Sequence, residues 1–245
     1  MIHYHGTPVG GISYEVPKFL KARHALVSFA HPNQIGLVAD ICQSFVLDNG
    51  AFTTWKQGKP LDVKGYIDWV SEWFKHPSFD WALIPDVIDG NEQQNDDLIH
   101  RWQNTELSNV GVPVWHLHES IERLQKLCVN WRTVALGSSG QWATPGTSDW
   151  WARITQAMDA ICDSKGRPSA KLHGLRMLNP DVFTNLPLSS ADSANAAINA
   201  GSISRFGMYT PPSAAQRAVV IADRIESHNS SPIWVSRPKQ KEFFT

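Results

Sequence analysis

Cysteine is scarce in this chain. Only Cys42, Cys128 and Cys162 occur, widely spaced and odd in number, with no CxxC pair. That spacing argues against a cysteine-rich zinc site and against a disulfide framework. Each thiol reads as apolar packing in a reducing compartment. An excess of charge of one sign is also missing: 22 Lys and Arg face 23 Asp and Glu, for a formal net charge of −1. A nucleic-acid partner would therefore be held by a local basic patch and not by an overall field. No apolar run approaches the roughly 18 residues of a membrane span. The opening MIHYHGTPVGG has neither the basic nor the apolar stretch of a secretory signal. The expectation is a cytoplasmic protein with no membrane partner. No Gly/Ser-rich linker and no internal repeat divide the chain, so one domain over residues 1–245 is expected, with a short polar tail from about residue 236.

What is present is apolar material for a sizeable core, 42% of residues against 18% charged, and eleven tryptophans suited to packing helices on a sheet. Short β-type runs recur at Ile2–Gly6, Ala25–Phe29, Phe45–Asp48, Trp81–Pro85, Val112–Leu117, Thr133–Leu136, Lys171–Leu175 and Leu186–Ala191. Between them lie stretches of helical spacing, at Gly36–Gln43, Tyr66–Phe74, Ser120–Cys128 and Trp150–Ile161, with a closing helix over Ser213–Ser227. Strand and helix in alternation predict a parallel sheet. Eight such units in this length predict a (β/α)8 TIM-type barrel of the α/β class, with a doubly wound open sheet as the alternative.

In such a barrel the functional groups gather where the strands end. The apolar runs lead into Asp48, Asp86, the pair His116 and His118, and the turn Gly137-Ser138-Ser139-Gly140. They also lead into His173 and Gly174 and, last, Asp192. Each has a plainer reading. An aspartate after a strand often caps a helix, and a Gly-Ser turn occurs in any fold. Two histidines two residues apart can be a metal pair or ordinary strand residues. Together, however, the carboxylates would converge on one rim. One of a pair can attack a sugar C1′ while the other moves a proton to or from the leaving group. A third can accept hydrogen bonds from the N–H groups of a purine, and Phe52 offers a flat apolar face to the ring.

Five strings, in order along the chain, resemble the tRNA-guanine transglycosylase superfamily. LDNGAF (Leu47–Phe52) is similar to its DSGGFQ segment, and IPDVIDG (Ile84–Gly90) to its second aspartate-bearing strand. VALGSSG (Val134–Gly140) is similar to its glycine-rich loop and KLHGLRML to its LMGVG strand. PLSSADSANAA (Pro187–Ala197) falls where the family carries its nucleophile. With the opening HYHGTPVGG, they most resemble the short phage and bacterial branch that inserts 7-deazaguanine bases into DNA. The resemblance implies Asp192 as nucleophile and Asp48 as general acid/base. It implies Phe52 stacked on the base, with His173 on the opposite face of the ring and Gly174 beside it. Asp86, Gly137, Ser138 and His116 or His118 would read the edges of the base. The chain departs from the family in Ala51 and Thr53, where the family has a glycine and a glutamine. It also lacks the CxCxxC zinc subdomain that helps hold tRNA.

The function expected is exchange of guanine in DNA for preQ0 or a related 7-deazaguanine through a covalent aspartyl–sugar intermediate, with no cofactor and no metal, in the cytoplasm (the host's, for a phage gene). Lys56, Lys59, Arg176, Arg205 and the Arg237–Lys241 tail are expected on phosphates. Three alternatives stand beside it. One is tRNA as the substrate. Another is a metal-dependent barrel hydrolase built on His116, His118 and an aspartate. The third is a non-catalytic nucleic-acid-binding or assembly subunit whose aspartates are only caps.

Overall fold

A computed structural model describes residues 1–7 and 16–236, without the side chains of Val16 and Arg205. Its centre is an all-parallel sheet: β1 Ile2–Gly6, β2 His24–Ser28, β3 Ser44–Asp48, β4 Phe79–Leu83, β5 Gly111–Val112, β6 Val114–His116, β7 Thr133–Gly137, β8 Lys171–Gly174 and β9 Ser190–Ser193. The order is β5-β4-β3-β2-β1-β9-β8-β7-β6. The two ends of that order are halves of a single run. Pro113 separates β5 from β6; having no N–H, it cannot continue a ladder. Its carbonyl accepts the Ala135 N–H at 2.9 Å, so the run pairs with β4 on one side and with β7 on the other. The sheet thus curls into a nearly closed TIM-like barrel of eight staves, and the open-sheet alternative is set aside.

The last stave begins later than its apolar run suggests. Leu186 and Leu188 are buried as expected, but the Leu186 N–H turns back to the Phe183 carbonyl and Pro187 has none to offer, so pairing starts at Ser190. Asp192 consequently lies inside the strand and not beyond it.

Helices pack around the staves. Among them are α1 Ile35–Ile41, α2 Ala51–Lys56, α3 Val63–Trp73, α4 Glu92–Gln103, α5 Ile121–Asn130, α6 Ser148–Ile161, α7 Pro180–Phe183, α8 Asn195–Asn199 and α9 Ala214–Glu226. Local chemistry explains their starts. Asn91 with Gln94, and Ser213 with Gln216, form capping boxes, while Ser120 and Thr147 accept from the third residue on. The large core lies between the outward strand residues (Phe45, Leu47, Trp115, Leu136) and the helix stripes (Trp69, Trp102, Leu124, Trp150, Ile154).

Inside the barrel the period-2 alternation sets the layers. Tyr4, Leu26, Val46 and Trp81 form one buried cluster, and Leu83, Val112, Val114 and Ala135 another. These plug the middle. Two residues further along the same staves, on the same face, come Gly6, Ser28, Asp48, His116 and Gly137.

Candidate active site

Those residues line a cavity of about 150 Å³ at the C-terminal end of the staves. Asp86, Phe52, Arg176 and Asp192 complete its chemistry. A wider opening of about 810 Å³ lies at the other end of the barrel. Its one carboxylate, Asp80, is committed to the hydroxyls of Tyr4 (2.7 Å) and Ser44. The cavity is the smaller of these two voids, yet it gathers three carboxylates where the other has one.

Asp48 ends β3 half-buried, facing the cavity with protein on every other side. Its Oδ2 accepts the Gly50 N–H at 3.1 Å. Burial pushes its carboxyl up to about 7, the Asp192 and Asp86 charges add to the rise, and a hydrogen bond from Ser28 opposes it. It caps no helix: the cap of α2 is Gly50, at φ +77°, where an added Cβ would meet the Ala30 nitrogen at 2.8 Å.

Asp86 follows β4 and is held on both oxygens. Asn49 Nδ2 donates to Oδ1 at 2.7 Å, and His116 Nε2 meets Oδ2 at 2.8 Å. A buried network fixes this pair from behind. The His116 N–H donates to Glu119 Oε2 at 2.8 Å, Glu119 takes Asn95 Nδ2 at 2.9 Å and Arg123 Nη1 at 2.8 Å, and the Val87 N–H donates to Asn95 Oδ1 at 2.8 Å. Such second partners lock the groups that face a ligand.

Asp192 comes from β9, with β2 and β1 between it and the stave of Asp48. Its Oδ1 accepts the Arg176 backbone N–H at 2.9 Å and lies 3.3 Å from His173 Nε2. Oδ2 has no hydrogen-bond donor among the described residues. Nor does Asp192 cap a helix, since the cap of α8 is Ala194, with no side-chain bond.

Phe52, on the first turn of α2, has two cations against its ring: the Arg176 guanidinium carbon at 3.8 Å from the ring centre and Lys56 Nζ at 4.5 Å. Arg176 also donates to the Ser138 carbonyl. Burial lowers its pKa, and the charges of Asp192, Asp48 and Asp86 hold it up. Gly137 and Ser138 line the cavity. A Cβ on Gly137 would come within 2.8 Å of His116 Nδ1, and Ser138 Oγ accepts Trp150 Nε1–H at 2.9 Å.

Other expected site residues stand elsewhere. His118 lies past the strand with both ring nitrogens taken, by Ser139 Oγ at 3.0 Å and the Gly90 carbonyl at 2.9 Å; its ring stacks on that of His116. The two do not converge as a metal pair, and among the described residues no group of three His, Cys, Asp or Glu side chains could hold a metal ion. His173 is fully buried below Asp192, against Trp81 at 4.8 Å, so it offers no face to a ring in the cavity. Gly174 turns outward to Leu188 and Met177. Arg176 lines the cavity itself. Lys56 is exposed beside it. The Arg205 side chain, the Arg237–Lys241 tail and Pro8–Gly11 of the opening motif lie outside the described residues.

Sequence reasoning missed Asn49, Ser28 and Thr7. Asn49 ties the Asp48 and Asp86 loops together, since its side chain also accepts the Ala51 N–H at 2.8 Å and donates to the Ile84 carbonyl at 3.0 Å. Ser28 had a legible signal, the alternation of HALVS, which puts it on the face of Leu26.

Comparison with protein-family models, with curated proteins and with solved structures finds no match for the chain. Its chemistry is therefore argued from the cavity. One acid near 7 can give and take a proton at neutral pH. A carboxylate with one pinned and one open oxygen can act as a nucleophile. A third, locked carboxylate can recognise N–H donors.

Proposed function

We propose that the chain is a glycosyl-transferring enzyme of the base-exchange kind, and specifically a guanine transglycosylase that replaces guanine in a nucleic acid by a 7-deazaguanine such as preQ0. DNA is favoured over tRNA by the likeness of the opening HYHGTPVGG and of LDNGAF to the branch that modifies DNA. The reading includes a single domain, a cytoplasmic setting and no cofactor.

One observation carries it: Asp48 and Asp192 open onto one cavity from separate staves, and neither caps a helix. The first step joins Asp192 Oδ2 to C1′ as the C1′–N9 bond breaks. The bonding pair leaves on N9, and the Asp48 carboxyl supplies the proton. In the second step Asp48 takes the N9 proton of the incoming base. N9 then attacks C1′, and the Oδ2–C1′ pair returns to Asp192. An acid near 7 can serve both steps. Asp86, with its oxygens set by Asn49 and His116, faces the N–H edge of the base. A cavity of about 150 Å³ suits a single ring system more than a larger ligand, so a target nucleotide within a duplex must leave the stack to enter.

The test is exchange of labelled guanine in DNA and in tRNA by the protein and by Asp192→Asn. Loss of exchange with an unchanged melting curve supports the reading, and the preferred polymer names the substrate. Full exchange by Asp192→Asn refutes the nucleophile, and a protein that binds but never exchanges refutes the enzyme.

A further inference from the structure

His173 has a clear arrangement and no part in the steps above. Its side chain is fully buried in the barrel. Nδ1 meets the Ser190 hydroxyl at 2.9 Å, whereas Nε2 lies 3.3 Å from Asp192 Oδ1 without a hydrogen bond to it and is a buried nitrogen with no hydrogen-bond partner. Tyr4, at 6.0 Å between ring centres, and Trp81, at 4.8 Å, close the remaining sides. Asp192 and Tyr4 are therefore the titratable groups that face the imidazole, with the Arg176 cation beyond Asp192.

Electrostatics assigns the proton. An unprotonated Nε2 would set a lone pair against a carboxylate oxygen inside a protein, where such a clash is unscreened. The Ser190 hydroxyl can donate to Nδ1, which leaves the N–H on Nε2. The 3.3 Å contact does not form a hydrogen bond here, and catalytic hydrogen bonds are often long or poorly aligned until substrate binds.

We propose that His173 is a positioning residue: its unpartnered Nε2–H, aimed at Oδ1 of Asp192, closes on that oxygen when substrate binds, beside the Arg176 backbone N–H that already holds it, which leaves Oδ2 to bond the sugar. This rests on the base-exchange reading for its consequence, though not for the pairing itself. In the sugar ester Oδ1 is the carbonyl oxygen. When the incoming N9 displaces the ester, the bonding pair returns to the carboxylate, and the two N–H groups receive the charge that grows on Oδ1. They act as donors aimed at a developing oxyanion. Ser190 also borders the wide opening at the far end of the barrel. A line of polar groups, Ser190–His173–Asp192, thus runs along the axis.

Two measurements decide it. Long-range proton–nitrogen NMR of the imidazole reads the tautomer whether or not the protein turns over. A proton on Nε2, whose signal moves in Asp192→Asn, is expected. A proton on Nδ1 alone, or an Nε2 signal indifferent to Asp192→Asn, overturns the pairing. For exchange, His173→Phe is expected to lose about 100-fold, in kcat and not in KM, because the charge growing on Oδ1 loses a donor. His173→Gln, which returns an N–H near the Nε2 position, recovers much of the rate, and Ser190→Ala shows a smaller loss in the same direction. Wild-type rates in both His173→Phe and Ser190→Ala overturn the role. Should His173→Phe not fold, His173→Gln and Ser190→Ala carry the same comparison. If the unaltered protein exchanges no base, the functional reading fails while the NMR result still decides the pairing.

Discussion

The guanidinium of Arg176 lies 3.8 Å over the ring of Phe52, while the backbone N–H of the same residue binds Asp192. One residue thus covers the flat seat beside the carboxylates and orients one of them. A guanidinium on an aromatic face gains about 0.5–2 kcal/mol, and an incoming base must compete for that face. Arg176→Ala is expected to bind a free 7-deazaguanine more tightly, up to about tenfold, by calorimetric titration. Weaker binding would show that the arginine grips the base and does not exclude it.

Arg176 holds φ +59°, a conformation that a side chain with a Cβ adopts at a cost. Arg176→Gly is expected to be more stable than Arg176→Ala by about 1 kcal/mol in denaturant melts. Equal stability would mean that the backbone relaxes once the guanidinium is gone.

The carboxyl of Asp48 is raised from 3.8 to about 7 in the folded protein, first by burial. Folding then takes up a proton between those values. The stability contributed by the neutral form is full below the lower value and is lost as pH rises through the upper one. Asp48→Asn cannot ionise. Relative to the unaltered protein it is expected to gain stability on going from about pH 4 to about pH 8, and to lose exchange at every pH. Parallel stability curves for the two proteins would mean that the carboxyl titrates normally.

Gly137 leaves no room beside the His116–Asp86 pair, because a Cβ there would meet His116 Nδ1 at 2.8 Å and Val114 Cγ1 at 3.1 Å. Gly137→Ala is expected to cost about 1–3 kcal/mol of stability and to raise KM for the incoming base by shifting His116 off Asp86. Unchanged KM would separate the His116–Asp86 pair from base recognition.

Lys56 is exposed with its ammonium 4.5 Å above the Phe52 ring, at the rim of the cavity. If it meets a phosphate, Lys56→Ala should weaken binding to all DNA sequences alike and make the salt dependence shallower by about one counterion. An unchanged slope in fluorescence anisotropy would remove it from the interface.

Strand positions were legible because each stave here is a short apolar run whose neighbours carry turn chemistry, as in TVALG and HALVS. The last stave was misplaced because Leu186 and Leu188 are as apolar as strand residues but spend their burial in the outer core. Asp48, Asp86 and Asp192 could be named as rim residues from their place after or within apolar runs. The same reasoning put His118 and Gly174 there too, since residue type and strand end do not say which way a side chain turns.

The amino-acid sequence by itself determined the α/β rhythm and the set of carboxylates available at the strand ends, because these depend on neighbours along the chain. The tertiary structure alone decided that Pro113 sits where the sheet closes on itself, that Asp48 is buried enough to titrate near 7, and that His173 lies beneath Asp192 instead of across a ring from Phe52. Each of these depends on which staves come together around the axis, and so on distances between residues far apart in the chain.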